Sequence, residues 1–336
     1  MPQEIAQSIY QITYERYKKS VDDRISSLVK NAEPKSLYDP VNYILSGGGK
    51  RIRPMMVMLC CEIAGGDPSS AIDAGAALEI LHNFTLVHDD IMDNASTRRG
   101  NETVHKKWNV NTAILAGDNL IAMAYKSLLK TNSANIKRIV EVFTEGVIEV
   151  CEGQSYDKDF ELTQNVSSDE YLLMIKKKTA KLLETSAVIG ALIGNAKEKE
   201  IEELCYFALD LGMAFQIQDD LLDITADEKD LGKKIGGDLI EGKKTFLLLN
   251  ALENTSDPEE NKLLKTIVSN KGIHSDEDIQ IKKIKDIYEK NGILENAKKE
   301  IENYTKDAGL RISRFNDSNA KNMLLWFSEM LMNRIH

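Results

Sequence analysis

The chain has 336 residues, 42% hydrophobic and 29% charged, with a net charge of −10. That balance is ordinary for a globular protein, and the acidic surplus argues against a general nucleic-acid surface, which needs a basic footprint. No apolar run approaches the ~18 residues of a membrane span, and the amphipathic start MPQEIAQSIYQITYERYKK is not a signal peptide, so a cytoplasmic protein without a membrane anchor is expected.

Six prolines and 20 glycines leave long stretches of chain uninterrupted. Strand signals are scarce: there is no convincing alternation of apolar and polar residues, and no Asn-Gly turn joins two apolar runs. The four cysteines, Cys60, Cys61, Cys151 and Cys205, match no zinc spacing and read as reduced packing residues. Taken in order, the breaks are Gly47-Gly48-Gly49, Gly65-Gly66-Asp67-Pro68, Thr131-Asn132-Ser133, residues 155–168, Gly194-Asn195, Gly236-Gly237 and Asn254-Thr255-Ser256-Asp257-Pro258. They divide the chain into roughly ten to thirteen helices.

The first break opens GGGKRIRP, in which glycines that permit close backbone approach are followed by Lys50, Arg51 and Arg53. It lacks the spacing of a P-loop. Residues 71–92 then carry apolar side chains at Ala74, Ala77, Leu78, Leu81, Phe84 and Val87, and 201–224 repeat the pattern at Leu204, Phe207, Ala208, Leu211, Ala214, Phe215, Leu221 and Leu222. Both follow helical spacing, and both are apolar beyond a single stripe, which predicts central helices. Residues 259–336 alternate charged and apolar at helical spacing and read as a less buried outer layer. No linker divides the chain, so one all-α domain over 1–336 is predicted.

Each central helix ends in carboxylates. VHDDIMD supplies Asp89, Asp90 and Asp93, and FQIQDDLLD supplies Asp219, Asp220 and Asp223 with the same spacing. At ~100° per residue, such a trio falls at about 0°, 100° and 40°, one arc of one face. Convergent carboxylates in an apolar setting need partners or a metal. All-oxygen ligands suit Mg²⁺, which uses one or two carboxylates and completes its shell with water and phosphate oxygens. No Glu-x-x-His pair of the di-iron bundles lies near either cluster. Cations surround the clusters: Arg98 and Arg99 before Gly100, Lys178 beside Thr179, then Lys233, Lys234, Lys243 and Lys244. Arginine and lysine side chains in these places ask for an anionic ligand. His82, seven residues before Asp89, turns to about 20° from it, onto the aspartate face.

GGGKRIRP, HDDIMD followed by RRG, GQSYD, KKTA, FQIQDDLLD and GKKIGGDLIEGKKT occur in that order, and RFNDSNAK closes the chain. The sequence resembles the trans-type isoprenyl diphosphate synthases from about residue 20 onward. The resemblance implies an all-α isoprenoid-synthase fold around a central cavity, and a homodimer. It implies a prenyltransferase that joins isopentenyl diphosphate to an allylic diphosphate (dimethylallyl, geranyl or farnesyl). The allylic C–O bond ionises, the double bond of isopentenyl diphosphate attacks the cation, and the released pyrophosphate takes a proton. By family match, Asp89, Asp93 and Asp219 lead as Mg²⁺ ligands, with Asp90 and Asp223 supporting. Arg98, Lys178, Thr179, Gln216, Lys233 and Lys243 would hold the allylic diphosphate. Gly49, Lys50, Arg53, His82 and Arg99 would bind isopentenyl diphosphate. Lys234 stands where the family commonly has proline, leaving open which of Lys233 and Lys234, and which of Lys243 and Lys244, points inward.

In this family, residues four and five before the first aspartate form the floor beneath the growing tail. Here these are Thr85 and Phe84, ~6 and ~7.5 Å below Asp89 on an ideal helix. Helical angle favours Thr85 as the tail contact, whereas the family pattern favours Phe84. One large residue with a small neighbour resembles the geranylgeranyl (C20) enzymes more than the farnesyl (C15) enzymes. A terpene cyclase, or a head-to-head condensing enzyme, would not need GGGKRIRP and RRG. A regulatory subunit of a heteromeric synthase usually loses aspartates that are intact here.

Overall fold

The computed structural model describes residues 3–226, 235–269 and 272–333. These are almost wholly helical, as the scarcity of strand signals predicts. Helices beyond the ten to thirteen expected include the single turns Val104–Lys107 and Gly237–Ile240, too short to show periodicity. Contacts group the chain into two compact units, each discontinuous in sequence: 1–147 with 185–205 and 315–327, and 148–184 with 206–314 and 328–336.

In the first unit, the Ile72–Met92 helix buries Ala74, Ala76, Ala77, Leu78, Ile80 and Leu81. Small side chains let neighbouring backbones approach on several sides, which is why its hydrophobicity exceeds one stripe. The Val110–Leu128 helix packs along it. The Gln3–Val29 helix brings Tyr10 and Tyr14 against Trp326, with ring centroids 6.1 and 6.2 Å away, so the first and last helices of the chain meet here.

One short hairpin departs from the strand-free expectation: Thr97–Arg98 pairs with Asn101–Glu102. Its turn residues, Arg99 and Gly100, both have positive φ, 51° and 77°. A two-residue turn of this hand matches the twist of the strands it joins, and Asn-Gly is its usual signal. Arg-Gly fills it here, so the sequence carried no such signal.

The second unit has a core of Phe160, Tyr171, Ile217, Leu221, Phe246, Ile284 and Tyr288, among others. Ser167 caps the Ser168–Ile175 helix through a reciprocal pair with Glu170. That helix runs directly into a π-turn, Lys176–Ala180, before continuing as Lys181–Ile193. Close packing surrounds the π-turn. A Cβ on Gly153 would lie 2.3 Å from the Lys178 amide nitrogen, and one on Gly212 would lie 2.6 Å from the Ala180 Cα. Two glycines therefore admit the widened backbone between two long helices. Residues 259–336 bury apolar side chains in both units. Ile284 and Tyr288 are fully buried in the second unit, whereas Leu324 and Phe327 are fully buried in the first. The four cysteines are unbridged; Cys60 and Cys61 are buried, but Cys151 is exposed and is not a packing residue.

Candidate active site

The glycines of GGGKRIRP set the backbone of the first unit's site. Gly48 and Gly49 adopt φ of +69° and +138°. A side chain at 49 would be strained by that φ and would also meet the Arg99 guanidinium at 3.2 Å. Arg99, held in the hairpin turn, donates to the Gly48 carbonyl at 2.6 Å. Lys50 is exposed on the same loop. Arg51 does something else. It caps the Ile52–Ile63 helix in the left-handed region, a conformation that costs of order 1 kcal/mol. It is buried and donates to Glu79 and Asp22, each at 2.7 Å. Of the three cations in the motif, Arg51 is thus committed to the fold.

Arg53 is half-buried, and burial lowers its guanidinium to about 10, so it stays cationic at neutral pH. Its Nε is buried with no hydrogen-bond partner among the described residues. His82 is half-buried close to this group. Burial first, then the charges of Arg53, Arg99, Arg98 and Arg51, hold its pKa well below the ordinary range. The imidazole is therefore neutral among guanidiniums, a hydrogen-bonding group rather than another charge.

The first aspartate trio is not uniformly buried. Asp89 is half-buried, and Asp93 is exposed where the helix ends, its amide donating to the Asp89 carbonyl at 2.8 Å. Asp90 is buried and accepts from Arg98 Nε at 2.7 Å. Burial raises its pKa, and the Arg98 charge opposes that rise. Asp90 thus meets the requirement for a partnered buried carboxylate without a metal. A cavity of about 220 Å³ lies along this side of the helix, lined by Leu86, Val87, Asp90, Arg98 and Arg99. Below it in sequence, Phe84 and Thr85 are half-buried; the Thr85 hydroxyl donates to the His82 carbonyl at 2.8 Å.

The second unit gathers its candidates around the π-turn. Lys178 Nζ donates to Asp157 at 2.6 Å, which joins KKTA to GQSYD. The Thr179 hydroxyl donates to Gln216 at 3.0 Å, and Gln216 donates on to Asp220 at 3.2 Å. Asp220 is buried and also accepts from the Tyr171 hydroxyl at 2.5 Å and the Phe246 amide at 3.0 Å. Burial raises its carboxyl to about 7. Asp223 is buried and accepts from the Asp238 amide at 3.1 Å. Asp219, half-buried, is the most accessible of the three. Lys243 is exposed, pairing with Glu241 at 2.7 Å and Asp238 at 3.6 Å. Lys244 instead donates to the Phe160 carbonyl at 2.5 Å. Lys233 and Lys234 lie outside the described residues.

Within the first unit, the structure brings together Gly49, Arg53, His82, Arg98 and Arg99 with the DDIMD helix. Within the second, it links Thr179 to Gln216 on the helix of Asp219 and Asp223, while Lys178 is held by Asp157. Sequence reasoning assigned no role to Asp157 or Tyr171. GQSYD was the available signal for Asp157; nothing in the pattern marked Tyr171. Both aspartate clusters offer hard carboxylate oxygens, which fits Mg²⁺. Among the described residues no group of three or more His, Cys, Asp and Glu is placed to hold a metal ion by itself.

The all-α frame carries one carboxylate-bearing helix in each unit and a guanidinium-rich turn in the first. The chain belongs to the polyprenyl synthetase family, whose model matches residues 34–288. It is 35% identical over 322 residues to a short chain isoprenyl diphosphate synthase of Methanothermobacter thermautotrophicus, covering 96% of this chain and 97% of that protein. It is 38% identical over 322 residues to a geranylgeranyl pyrophosphate synthase of Geoglobus acetivorans, covering 95% and 97%. The crystal structure of geranylgeranyl pyrophosphate synthetase from Pyrococcus horikoshii matches with a TM-score of 0.91 at 36% identity, covering 97% of this chain and 99% of that one. The chain is a prenyltransferase of this family. Among its described residues no helix is long and apolar enough to cross a membrane.

Proposed function

We propose that this chain acts as a cytoplasmic, Mg²⁺-dependent homodimer that elongates allylic diphosphates with isopentenyl diphosphate to geranylgeranyl diphosphate (C20). The observation that carries the reading is the neutral His82 set among Arg53, Arg98 and Arg99 on the helix that ends in Asp89 and Asp93. A single-diphosphate enzyme such as a cyclase has no use for so many guanidiniums there.

Gly49, Lys50, Arg53, His82 and Arg99 receive isopentenyl diphosphate. Arg53 and Arg99 supply charge-assisted hydrogen bonds to phosphate oxygens, and His82 adds a neutral contact. Asp89, Asp93 and Asp219 would hold Mg²⁺, with Asp90 and Asp223 supporting. Mg²⁺ bound there would supply charge neutralisation for a diphosphate. Arg98, Lys178, Thr179, Gln216 and Lys243 would offer that anion donors, as would Lys233, which lies outside the described residues. The allylic carbon cation is then exposed to the isopentenyl double bond, with apolar side chains excluding water.

Relatives named as geranylgeranyl synthases support the C20 product, as does the large-then-small pair Phe84 and Thr85. The exposed apolar side chains Val110, Ile114 and Leu115 on one helix support a homodimer. Each contact unit is assembled from separate stretches of sequence, which supports one domain over 1–336. The test is to incubate the purified protein with labelled isopentenyl diphosphate, dimethylallyl diphosphate and Mg²⁺, with EDTA as control, and to size the products. An EDTA-sensitive C20 diphosphate is expected. A C15 product would move the assignment to a farnesyl synthase, and no product with any allylic starter would overturn it.

A further inference from the structure

Phe84 and His88 lie one helical turn apart, and their ring centroids are 4.7 Å apart with planes inclined at 58°. The imidazole also meets the Val110–Leu128 helix at Gly117. A Cβ there would sit 2.2 Å from His88 Nε2 and 2.5 Å from Cδ2. Only glycine leaves room for the ring. His88 Nε2 is buried and has no hydrogen-bond partner among the described residues. A buried polar atom left unsatisfied costs about 1–3 kcal/mol, so hydrogen bonding at Nε2 does not explain the histidine. Its shape does: a flat ring fills the gap between Phe84 and the glycine notch.

We propose that His88 is a positioning residue for product length, bracing Phe84 from the Gly117 notch and so fixing how far the prenyl tail can grow. This rests on the reading of Phe84 as the floor beneath the tail. Removing the brace gives the Phe84 ring space to swing aside, and the floor drops. Narrowing the notch pushes the imidazole, and Phe84 with it, toward the tail. The two changes therefore have opposite signs.

The experiment measures product lengths from labelled isopentenyl diphosphate and dimethylallyl diphosphate for the wild type, Phe84→Ala, His88→Ala, His88→Phe, Gly117→Ala and two double variants. His88→Ala is expected to raise the ratio of products longer than C20 to C20 several-fold, and His88→Phe, which restores a ring, to return it toward wild type. Gly117→Ala is expected to shift product toward C15. Should that variant fail to fold, His88→Ala with Gly117→Ala removes the clash and is expected to match His88→Ala alone. In a Phe84→Ala background, His88→Ala is expected to add little. If Phe84→Ala lengthens the product and His88→Ala does not, the brace is overturned while the floor stands. An equal His88→Ala effect with and without Phe84 also overturns the brace. An unchanged product from Phe84→Ala overturns the floor reading itself.

Discussion

Asp210 lies half-buried on the Glu198–Thr225 helix. Burial first, then the charge of Asp307, lifts its carboxyl from 3.8 to about 6, with Arg311 opposing the rise. The folded chain therefore holds a proton there over a pH range in which the unfolded chain has released it. Stability from this site falls as pH rises from about 4 to about 6 and stays low above. Asp210→Asn removes the charge and is expected to raise the urea midpoint at pH 8, the gain shrinking as pH falls toward 4. An equal midpoint at pH 8 would mean that solvent already screens the carboxylate. At this scale the sequence was informative about which residues matter and less so about what they do. Spacing alone gathered Asp89, Asp90 and Asp93 on one arc. It could not show that Asp90 is taken by Arg98, because that guanidinium arrives from a hairpin with no turn signal. Nor could it show Asp220 bonding Tyr171 and the Phe246 amide, both distant in sequence.

The π-turn at Lys176–Ala180 places Lys178 against Asp157 and Thr179 against Gln216. Such turns interrupt α-helices and occur often at functional sites. This one depends on Gly153, since any Cβ there would press into the backbone at Lys178. Gly153→Ala is expected to cost at least the ~1–3 kcal/mol typical of overpacking, read as a lower denaturant midpoint. Turnover should fall with it, because Lys178 and Thr179 would shift together. Unchanged turnover would detach the π-turn from catalysis. The sequence showed the surrounding helices through their period, but a π-turn has no residue preference that a pattern could carry. KKTA was recognisable as a motif, and its backbone shape was not.

The apolar side chains Val110, Ile114 and Leu115 are exposed on one helix, and a second copy of the chain is the partner proposed for them. Leu115→Glu would place charge in that contact and is expected to move the sedimenting species from dimer toward monomer. A wild type that sediments as a monomer would remove the homodimer from the proposal. The all-α class was legible because it rests on local spacing. The two discontinuous units were not, because they depend on which distant stretches pack together. The contact of Tyr10 and Tyr14 with Trp326 has a consequence for how the protein is made. The ribosome releases the helix that bears Tyr10 and Tyr14 well before Trp326, tens of seconds apart at ~5–20 residues per second. Throughout that interval Tyr10 and Tyr14 lack this partner. A nascent chain stalled before residue 315 would offer that unfinished face to chaperones, however well its earlier helices had formed.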